Sequence, residues 1–138
     1  MPNLQAILET ALYVDDLDRA AAFYEDVMGL ASLHADDRLR AYNVNGRSVL
    51  LLFLRGGTLQ PVRTKSGLIP PHDGSGRLHM AFSIVKDELD DWRAHLAVHG
   101  VAIEGTSDWK RGGHSLYFRD PDGNMLELAT VPGLWEGF

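Results

Sequence analysis

The 138-residue sequence contains no cysteine. Disulfides, thiolate metal sites and cysteine nucleophiles are therefore excluded. Basic residues are in the minority, with 13 Lys and Arg against 19 Asp and Glu and a formal net charge of −6. This balance argues against nucleic acid or an anionic membrane as a partner, because basic surfaces hold both.

Long apolar runs are also missing from the chain. The longest run, residues 49–54, is far too short to cross a bilayer, and no basic-then-apolar segment opens the sequence. We therefore expect a cytoplasmic protein. Hydrophobic residues make up 45% and charged residues 23%, which is typical of a globular protein whose length fits one domain with a real core.

The most informative stretch is residues 114–130, HSLYFRDPDGNMLELAT. Its first part alternates between polar and apolar residues, which predicts a strand with Ser115, Tyr117 and Arg119 on one face. The DPDG sequence that follows predicts a tight turn, because proline presets φ and glycine accepts a positive φ. The returning strand is apolar except for Glu127, whose carboxylate is costly to bury unless it is paired, solvated or bound to a metal. Glu127 is therefore the first functional candidate.

The first half of the chain predicts a strand, a helix and three more strands. Alternation over residues 7–14 indicates the first strand, and Asp15 or Asp16 is placed to cap the helix. Gly29 fits the C-terminal cap of that helix. The predicted apolar stripe is Leu17, Ala21, Tyr24 and Met28. Further strands are expected near 31–35, 38–44 and 48–54, with Asn45-Gly46 as the hairpin turn between the last two.

The second half follows the same order. Residues 78–85 predict a strand, and a helix follows with Leu89, Trp92 and Leu96 on its apolar side. A short strand at 101–104 and the final hairpin complete the set. Between the halves, a segment rich in glycine and proline, residues 55–78, predicts a long connection. Connections of this length are often functional, so His72 within it is a candidate lid residue.

Local similarity between the halves indicates an internal repeat. Ala11-Leu12 aligns with Ala81-Phe82 at an offset of 70, and Met28-Gly29-Leu30 aligns with His99-Gly100-Val101 at an offset of 71. The sequence therefore predicts two β-α-β-β-β units. Glu9 and His79 then occupy equivalent positions near the starts of equivalent strands, on the face opposite the helix-covered one.

Three stretches resemble the vicinal oxygen chelate superfamily, namely LYVDDLDRAAAFYEDVMGL, HMAFSIV and YFRDPDGNMLELAT. This superfamily includes glyoxalase I, extradiol dioxygenases, fosfomycin-resistance enzymes and bleomycin-binding proteins. The resemblance covers nearly the whole chain except residues 55–78. It implies an α+β fold in which two βαβββ modules form an open barrel-like cup, within a single domain spanning 1–138. The parts would be a first module at about 5–56, a linker or lid at about 57–76, a second module at about 77–131 and a tail at 132–138.

The resemblance also implies a divalent metal on the concave face. Carried over residue by residue, its ligands are Glu9, His79 and Glu127. One imidazole and two carboxylates suit Mn²⁺ or Fe²⁺, with Zn²⁺ and Ni²⁺ also open. Three protein ligands leave coordination positions for a small substrate with two neighbouring oxygens, which the metal would polarise as a Lewis acid. Two departures argue against glyoxalase I: the family more often has histidine where Glu9 stands, and residues 49–53 offer no fourth ligand.

Other residues of the last hairpin are candidates for catalysis and substrate binding. In dioxygenase and fosfomycin-resistance relatives, a tyrosine at the position of Tyr117 faces the substrate and donates a hydrogen bond, so Tyr117 joins Glu127 as a catalytic candidate. Ser115, Arg119 and Trp109 are candidate substrate-binding residues. The histidine that extradiol enzymes carry upstream of this tyrosine is missing, which argues against ring cleavage.

Each candidate also has a purely structural interpretation. A neighbouring Arg or Lys would pair with Glu127, a hydrogen bond in the core would hold His79, and water would solvate Glu9 and Tyr117. Local contacts would satisfy Ser115 and Arg119, and residues 109–113 would be a plain surface loop. His95 and His99 are interpreted as surface residues near a helix end.

For the whole chain, the leading interpretation is a metal-dependent enzyme, expected as a homodimer, whose reaction is of lyase, thiol transferase or dioxygenase type. The alternative is a metal-free protein that binds an aromatic or drug-like ligand.

Overall fold

Each half of the chain forms a four-stranded open sheet. The computed structural model describes all 138 residues and separates into two units, unit 1 from Met1 to Ser75 and unit 2 from Gly76 to Phe138. The two sheets have the same strand order, and in each sheet the strand that comes first in the chain lies beside the one that comes last. No helix in the chain has the length and apolar character needed to cross a bilayer.

Unit 1 contains one main helix and six strands. The helix is α1 (Leu17–Ala22), which a π-helical turn (Phe23–Val27) continues. The strands are β1 (Glu9–Val14), β2 (Ala31–Ala35), β3 (Leu39–Val44), β4 (Ser48–Leu54), β5 (Val62–Thr64) and β6 (Gly67–Ile69). The main sheet runs β1-β4-β3-β2, and β5 and β6 form a separate hairpin.

Unit 2 contains one main helix and four strands. A 3₁₀ turn (Lys86–Glu88) leads into the helix α2 (Leu89–Val98). The strands are β7 (His79–Ile84), β8 (Gly105–Asp108), β9 (His114–Arg119) and β10 (Met125–Thr130). Their order is β7-β10-β9-β8, so the repeat inferred from the sequence is confirmed.

Strand register confirms that Glu9 and His79 are equivalent. Glu9 begins the parallel pairing of β1 with β4, opposite Val49, and His79 begins that of β7 with β10, opposite Met125. Two residues further along, Leu51 of unit 1 takes the position that Glu127 takes in unit 2. As the sequence predicts, β4 therefore offers no metal ligand.

The core of unit 1 lies between α1 and its sheet. Helix α1 packs on β3 and β4, and Leu50 and Leu52 are fully buried there. Tyr42 is also fully buried and donates a hydrogen bond of 2.9 Å to Glu25. Burial, together with this hydrogen bond, raises the pKa of Tyr42, so the phenol remains a donor.

The caps and turns predicted from the sequence are confirmed. Asp16 caps α1 by accepting hydrogen bonds from the backbone N–H groups of Asp18 and Arg19, each at 3.0 Å. Asn45 and Gly46 have φ angles of 52° and 66°, as a tight hairpin of the primed type requires.

Three local predictions need correction. Within α1, Ala20 is buried, whereas Ala21 is half-buried. The π-helical turn after Ala22 changes the helical period, and Phe23 and Val27 join the buried side there. The strand predicted at 101–104 lies instead at 105–108, because the N–H of Val101 bonds to the carbonyl of Leu96 and closes α2. Residues 55–78 do not form a continuous loop, since they contain the β5–β6 hairpin.

Candidate metal centre

His79 and Glu127 lie side by side on one face of the unit 2 sheet. They stand on neighbouring parallel strands, two positions apart in register, so both side chains project from the same face. The distance from Nε2 of His79 to Oε2 of Glu127 is 3.3 Å. The structure therefore brings together two of the three residues predicted as metal ligands.

A backbone contact fixes the orientation of the His79 ring. Nδ1 of His79 lies 2.9 Å from the carbonyl oxygen of Met125. A carbonyl only accepts, so Nδ1 carries the proton and Nε2 of the neutral ring presents its lone pair. That lone pair and the Glu127 oxygen are both acceptors at 3.3 Å, and they attract each other only through a shared cation, either a proton or a metal ion.

Glu127 is buried, with 6% of its surface exposed. Its Oε1 accepts a hydrogen bond of 2.5 Å from the hydroxyl of Ser115, which is itself buried. Ser115 in turn accepts a hydrogen bond of 2.8 Å from the indole nitrogen of Trp109. This chain of hydrogen bonds holds one oxygen of Glu127 and leaves the other facing His79. No Arg or Lys pairs with the carboxylate, contrary to the structural alternative for this residue.

Backbone contacts position the loop that carries Trp109. The N–H of Trp109 bonds to the carbonyl of Gly113 at 2.8 Å, and the N–H of Gly113 bonds to the carbonyl of Gly133 at 3.1 Å. A Cβ added to Gly113 would lie 2.6 Å from the backbone of Gly133, so this approach requires glycine. The loop is thus tied to the C-terminal segment.

Tyr117 and Arg119 follow on the same face of β9. Tyr117 stands opposite Glu127 in register, is half-buried, and donates a 3.3 Å hydrogen bond to Ser107. Arg119 bonds to Glu104 at 2.9 Å and to the carbonyl of Gly123 at 3.2 Å. The guanidinium of Arg119 is therefore engaged locally, whereas the long hydrogen bond of Tyr117 is easily exchanged for another.

Glu9, the third predicted ligand, is exposed at the start of β1 in unit 1. The structure contains no group of three or more His, Asp or Glu side chains placed to hold a metal ion. His79 and Glu127 fit a divalent cation in donor type and orientation, since a ligating imidazole normally donates its other N–H to a fixed partner. The full set of Glu9, His79 and Glu127 stays a prediction.

Sequence reasoning missed a cavity of about 480 Å³ in unit 1. Apolar side chains of Leu39, Leu51, Phe53 and Ile69 line it, together with the polar groups of Glu9, Tyr13, Arg38 and His72. The sequence marks His72 as a candidate lid residue, and the structure places its Nδ1 2.7 Å from the Tyr13 hydroxyl. The pairing joins residues 59 positions apart, which no local pattern indicates.

The chain is similar to several known enzymes. The metallothiol transferase FosB of Lysinibacillus sphaericus is 31% identical over 93% of this chain and 84% of its own length. The glutathione transferase FosA of Serratia marcescens is 31% identical over 91% of this chain and 80% of its own. The crystal structure of lactoylglutathione lyase from Agrobacterium tumefaciens superposes with a TM-score of 0.85 at 36% identity, covering 94% of this chain and 96% of that one.

The family relationship follows from both sequence and fold. The sequence model of the Glyoxalase/Bleomycin resistance protein/Dioxygenase superfamily matches residues 6–128, which is most of the chain. The strand order of both units agrees with the predicted pair of βαβββ modules. This protein therefore belongs to the Glyoxalase/Bleomycin resistance protein/Dioxygenase superfamily.

Proposed function

We propose that the protein is a metal-dependent enzyme that acts on a small substrate with two neighbouring oxygens, by thiol transferase or lyase chemistry. The observation that carries the proposal is the geometry of His79 and Glu127, whose acceptor atoms face each other at 3.3 Å. The names of the three relatives above also share thiol chemistry, which favours thiol addition, or a lyase acting on a thiol adduct, over dioxygenation.

The proposed ligands are His79 through Nε2, Glu127 through Oε2, and Glu9. A bound Mn²⁺, Fe²⁺, Zn²⁺ or Ni²⁺ would supply Lewis-acid polarisation of the substrate oxygens. The hydrogen bonds from Ser115 and to Met125 hold the two unit 2 ligands in fixed orientations. Such preorganisation raises affinity because little side-chain freedom is lost on binding.

The other residues of this face have supporting roles in the proposal. Tyr117 stands across from Glu127, and a substrate oxygen would replace Ser107 as the acceptor of its long hydroxyl hydrogen bond. Trp109, 38% exposed, places an indole beside the buried Ser115 and shields that side of Glu127 from water. Arg119 is a proposed substrate-binding residue that would exchange its ion pair with Glu104 for an oxygen of the substrate.

Homodimer formation belongs to the same proposal. Ile7 and Leu8, which directly precede Glu9, leave 73% and 70% of their surfaces exposed. Apolar side chains so exposed next to a proposed ligand favour a second copy as the group that covers them. The cytoplasmic location remains a prediction from the short apolar runs of the sequence.

The first test replaces the buried ligand. Glu127→Gln keeps the size of the side chain and an oxygen for the Ser115 hydroxyl but removes the charge, so we expect the fold to survive and metal affinity to fall at least ~10-fold. Metal content and calorimetric titration with each of the four ions measure this, alongside turnover of fosfomycin with a thiol and of α-keto hemithioacetals. Glu88→Gln, which alters an exposed glutamate of the same unit, is the matched control.

Two results would count against the proposal. An unchanged metal affinity in Glu127→Gln would remove Glu127 from the site. Less than about a tenth of an equivalent of metal in the parent protein, with no gain on adding the four ions, would favour the metal-free binding protein instead.

A further inference from the structure

The cavity of unit 1 has a cationic end formed by Arg38. The guanidinium carbon lies 5.6 Å from the centre of the Phe53 ring, and Nε is buried with no hydrogen-bond partner. No carboxylate forms an ion pair with this side chain. A cation over an aromatic ring recovers part of the lost hydration, but a buried donor without an acceptor remains costly. Arg38 also lines the cavity, and an anion there would give its guanidinium the acceptor and the opposite charge that the protein does not supply.

Backbone contacts hold Arg38 in place independently of any ligand. Its N–H donates to Oδ1 of Asp36 at 2.8 Å, and its carbonyl accepts from the N–H of Leu54 at 2.9 Å. Asp36 also accepts from His34 and from the N–H of Leu39, so its carboxylate is already occupied. Asp36 therefore fixes the main chain of Arg38 and leaves the guanidinium available.

Tyr13 and His72 add a second donor at the same cavity. Burial raises the pKa of Tyr13, and the charge of Asp73 adds to the shift, so the phenol stays protonated. Its oxygen lies 2.7 Å from Nδ1 of His72, and in the tautomer of His72 that accepts the phenol proton, Nε2 is a donor. Two hydrogen bonds with Thr58 hold the backbone of His72 in place. The Thr58 carbonyl accepts from the His72 N–H at 3.0 Å, and the Thr58 hydroxyl donates to the His72 carbonyl at 2.5 Å.

The acidic group of the cavity lies at the opposite end. Glu9 and Tyr13 are four residues apart on β1, a separation of about 13 Å at the usual rise per strand residue. The surface between them is apolar, formed by Leu51 and Phe53 of the neighbouring β4 with Leu39 beyond. An anion at Arg38 is thus well separated from the Glu9 carboxylate, with an apolar floor between the two.

We infer that this cavity binds a small organic carboxylate with an apolar body, the carboxylate against Arg38 and the body on Leu51 and Phe53. A guanidinium fork matches a carboxylate in two parallel hydrogen bonds, and a volume of about 480 Å³ is typical of small-molecule sites. The inference concerns unit 1 alone and does not require a metal at Glu9.

The test titrates the full chain, in the presence of a chelator, with 1-naphthoate and with its neutral counterpart 1-naphthamide. Calorimetry gives the affinity, and amide NMR shifts report which residues respond. We expect saturable binding of naphthoate, with shifts at Phe53 and His72, and at least ~10-fold weaker binding of the amide, the loss of one charge-assisted pair.

Variants then locate the contact. Arg38→Gln should weaken naphthoate binding at least ~10-fold. The affinity of Arg38→Lys should lie between those of Arg38→Gln and the parent, because lysine keeps the charge but lacks the planar fork of donors. Arg47 is an exposed turn arginine of the same unit, so Arg47→Gln should leave naphthoate affinity unchanged. Binding retained in Glu127→Gln would support a site in unit 1 that acts without the unit 2 residues of the proposed metal centre. Equal binding of acid and amide, displacement of naphthoate by inorganic phosphate alone, or full affinity in Arg38→Gln would each overturn the inference.

Discussion

At the scale of single residues, the best indication of function came from charged or polar side chains at positions where burial costs free energy. Glu127 interrupts an apolar strand, and the structure buries it with Ser115 and His79 as its partners. The sequence predicts this environment because an uncompensated carboxylate is not tolerated there. The bond from Trp109 to Ser115 was beyond prediction, since it depends on a loop closed by the approach of Gly113 to Gly133.

The position of Ser115 leads to a residue-scale prediction. Ser115→Ala leaves Oε1 of Glu127 and the indole N–H of Trp109 without their partner, so we expect a loss of about 1–3 kcal/mol in stability. We also expect metal affinity to fall about 10–100-fold, as for other residues that orient a ligand. Urea unfolding and calorimetric metal titration measure the two effects.

Ser83→Ala is the control for that variant, because Ser83 is an exposed residue on the strand that carries His79. It should leave both stability and metal affinity near their parent values. If Ser115→Ala lost stability but kept its metal affinity, the hydrogen bond would matter for packing and have no part in orienting Glu127.

At the scale of elements, regular strands and capped turns were predictable, and departures from regular periods were not. The hairpins at Asn45-Gly46 and at the DPDG turn carry residues that accept the φ angles required. The β5–β6 hairpin could not be predicted from the sequence, because glycine and proline dominate the segment around it and each strand has only three residues. The shift of β8 to 105–108 has a similar origin, since the end of α2 uses the N–H of Val101.

The turn between β2 and β3 leads to a prediction about pH. The hydrogen bond from His34, with those from the N–H groups of Arg38 and Leu39, lowers the pKa of Asp36 from 3.8 to about 2. A carboxyl whose pKa is depressed in the folded state contributes stability above its unfolded pKa and loses it as pH falls through the folded one. We therefore expect Asp36→Ala to be less stable than the parent by roughly 1 kcal/mol near neutral pH, as for a side chain that caps two N–H groups.

The difference between parent and Asp36→Ala should shrink as pH falls from about 4 to about 2, because the Asp36 carboxylate becomes protonated over that range. Urea unfolding of both proteins across that range measures it. Asp37→Ala, at the adjacent exposed position, should track the parent at every pH. A difference that stayed constant down to pH 2 would mean that the Asp36 carboxylate does not stabilise the turn.

At the scale of the whole molecule, the repeat was readable from sequence because two offsets of nearly equal length align apolar strands and glycine caps. The strand order of the two units bears it out. Which of the predicted metal ligands come together could be predicted from the sequence only in part. His79 and Glu127 meet through the register of two neighbouring strands in one unit, whereas Glu9 belongs to the other unit, and no sequence pattern states which copy of the chain completes a site.

The exposed Ile7 and Leu8 beside Glu9 favour a homodimer in which one copy supplies Glu9 and the other supplies His79 and Glu127. In that arrangement Glu9→Gln and Glu127→Gln each abolish both sites when pure, yet a mixed dimer of the two has one intact site. Random exchange of equal amounts should therefore restore about a quarter of the parent metal sites and activity, since half of the dimers are mixed and each regains one of its two sites.

Subunits are exchanged in mild urea, and light scattering checks that the particle has twice the 15.3 kDa mass of the chain. Each variant taken through the same exchange alone should recover nothing. If the mixture also recovers nothing although the dimers have exchanged, then every site is built within a single chain and the exposed residues before Glu9 have another role.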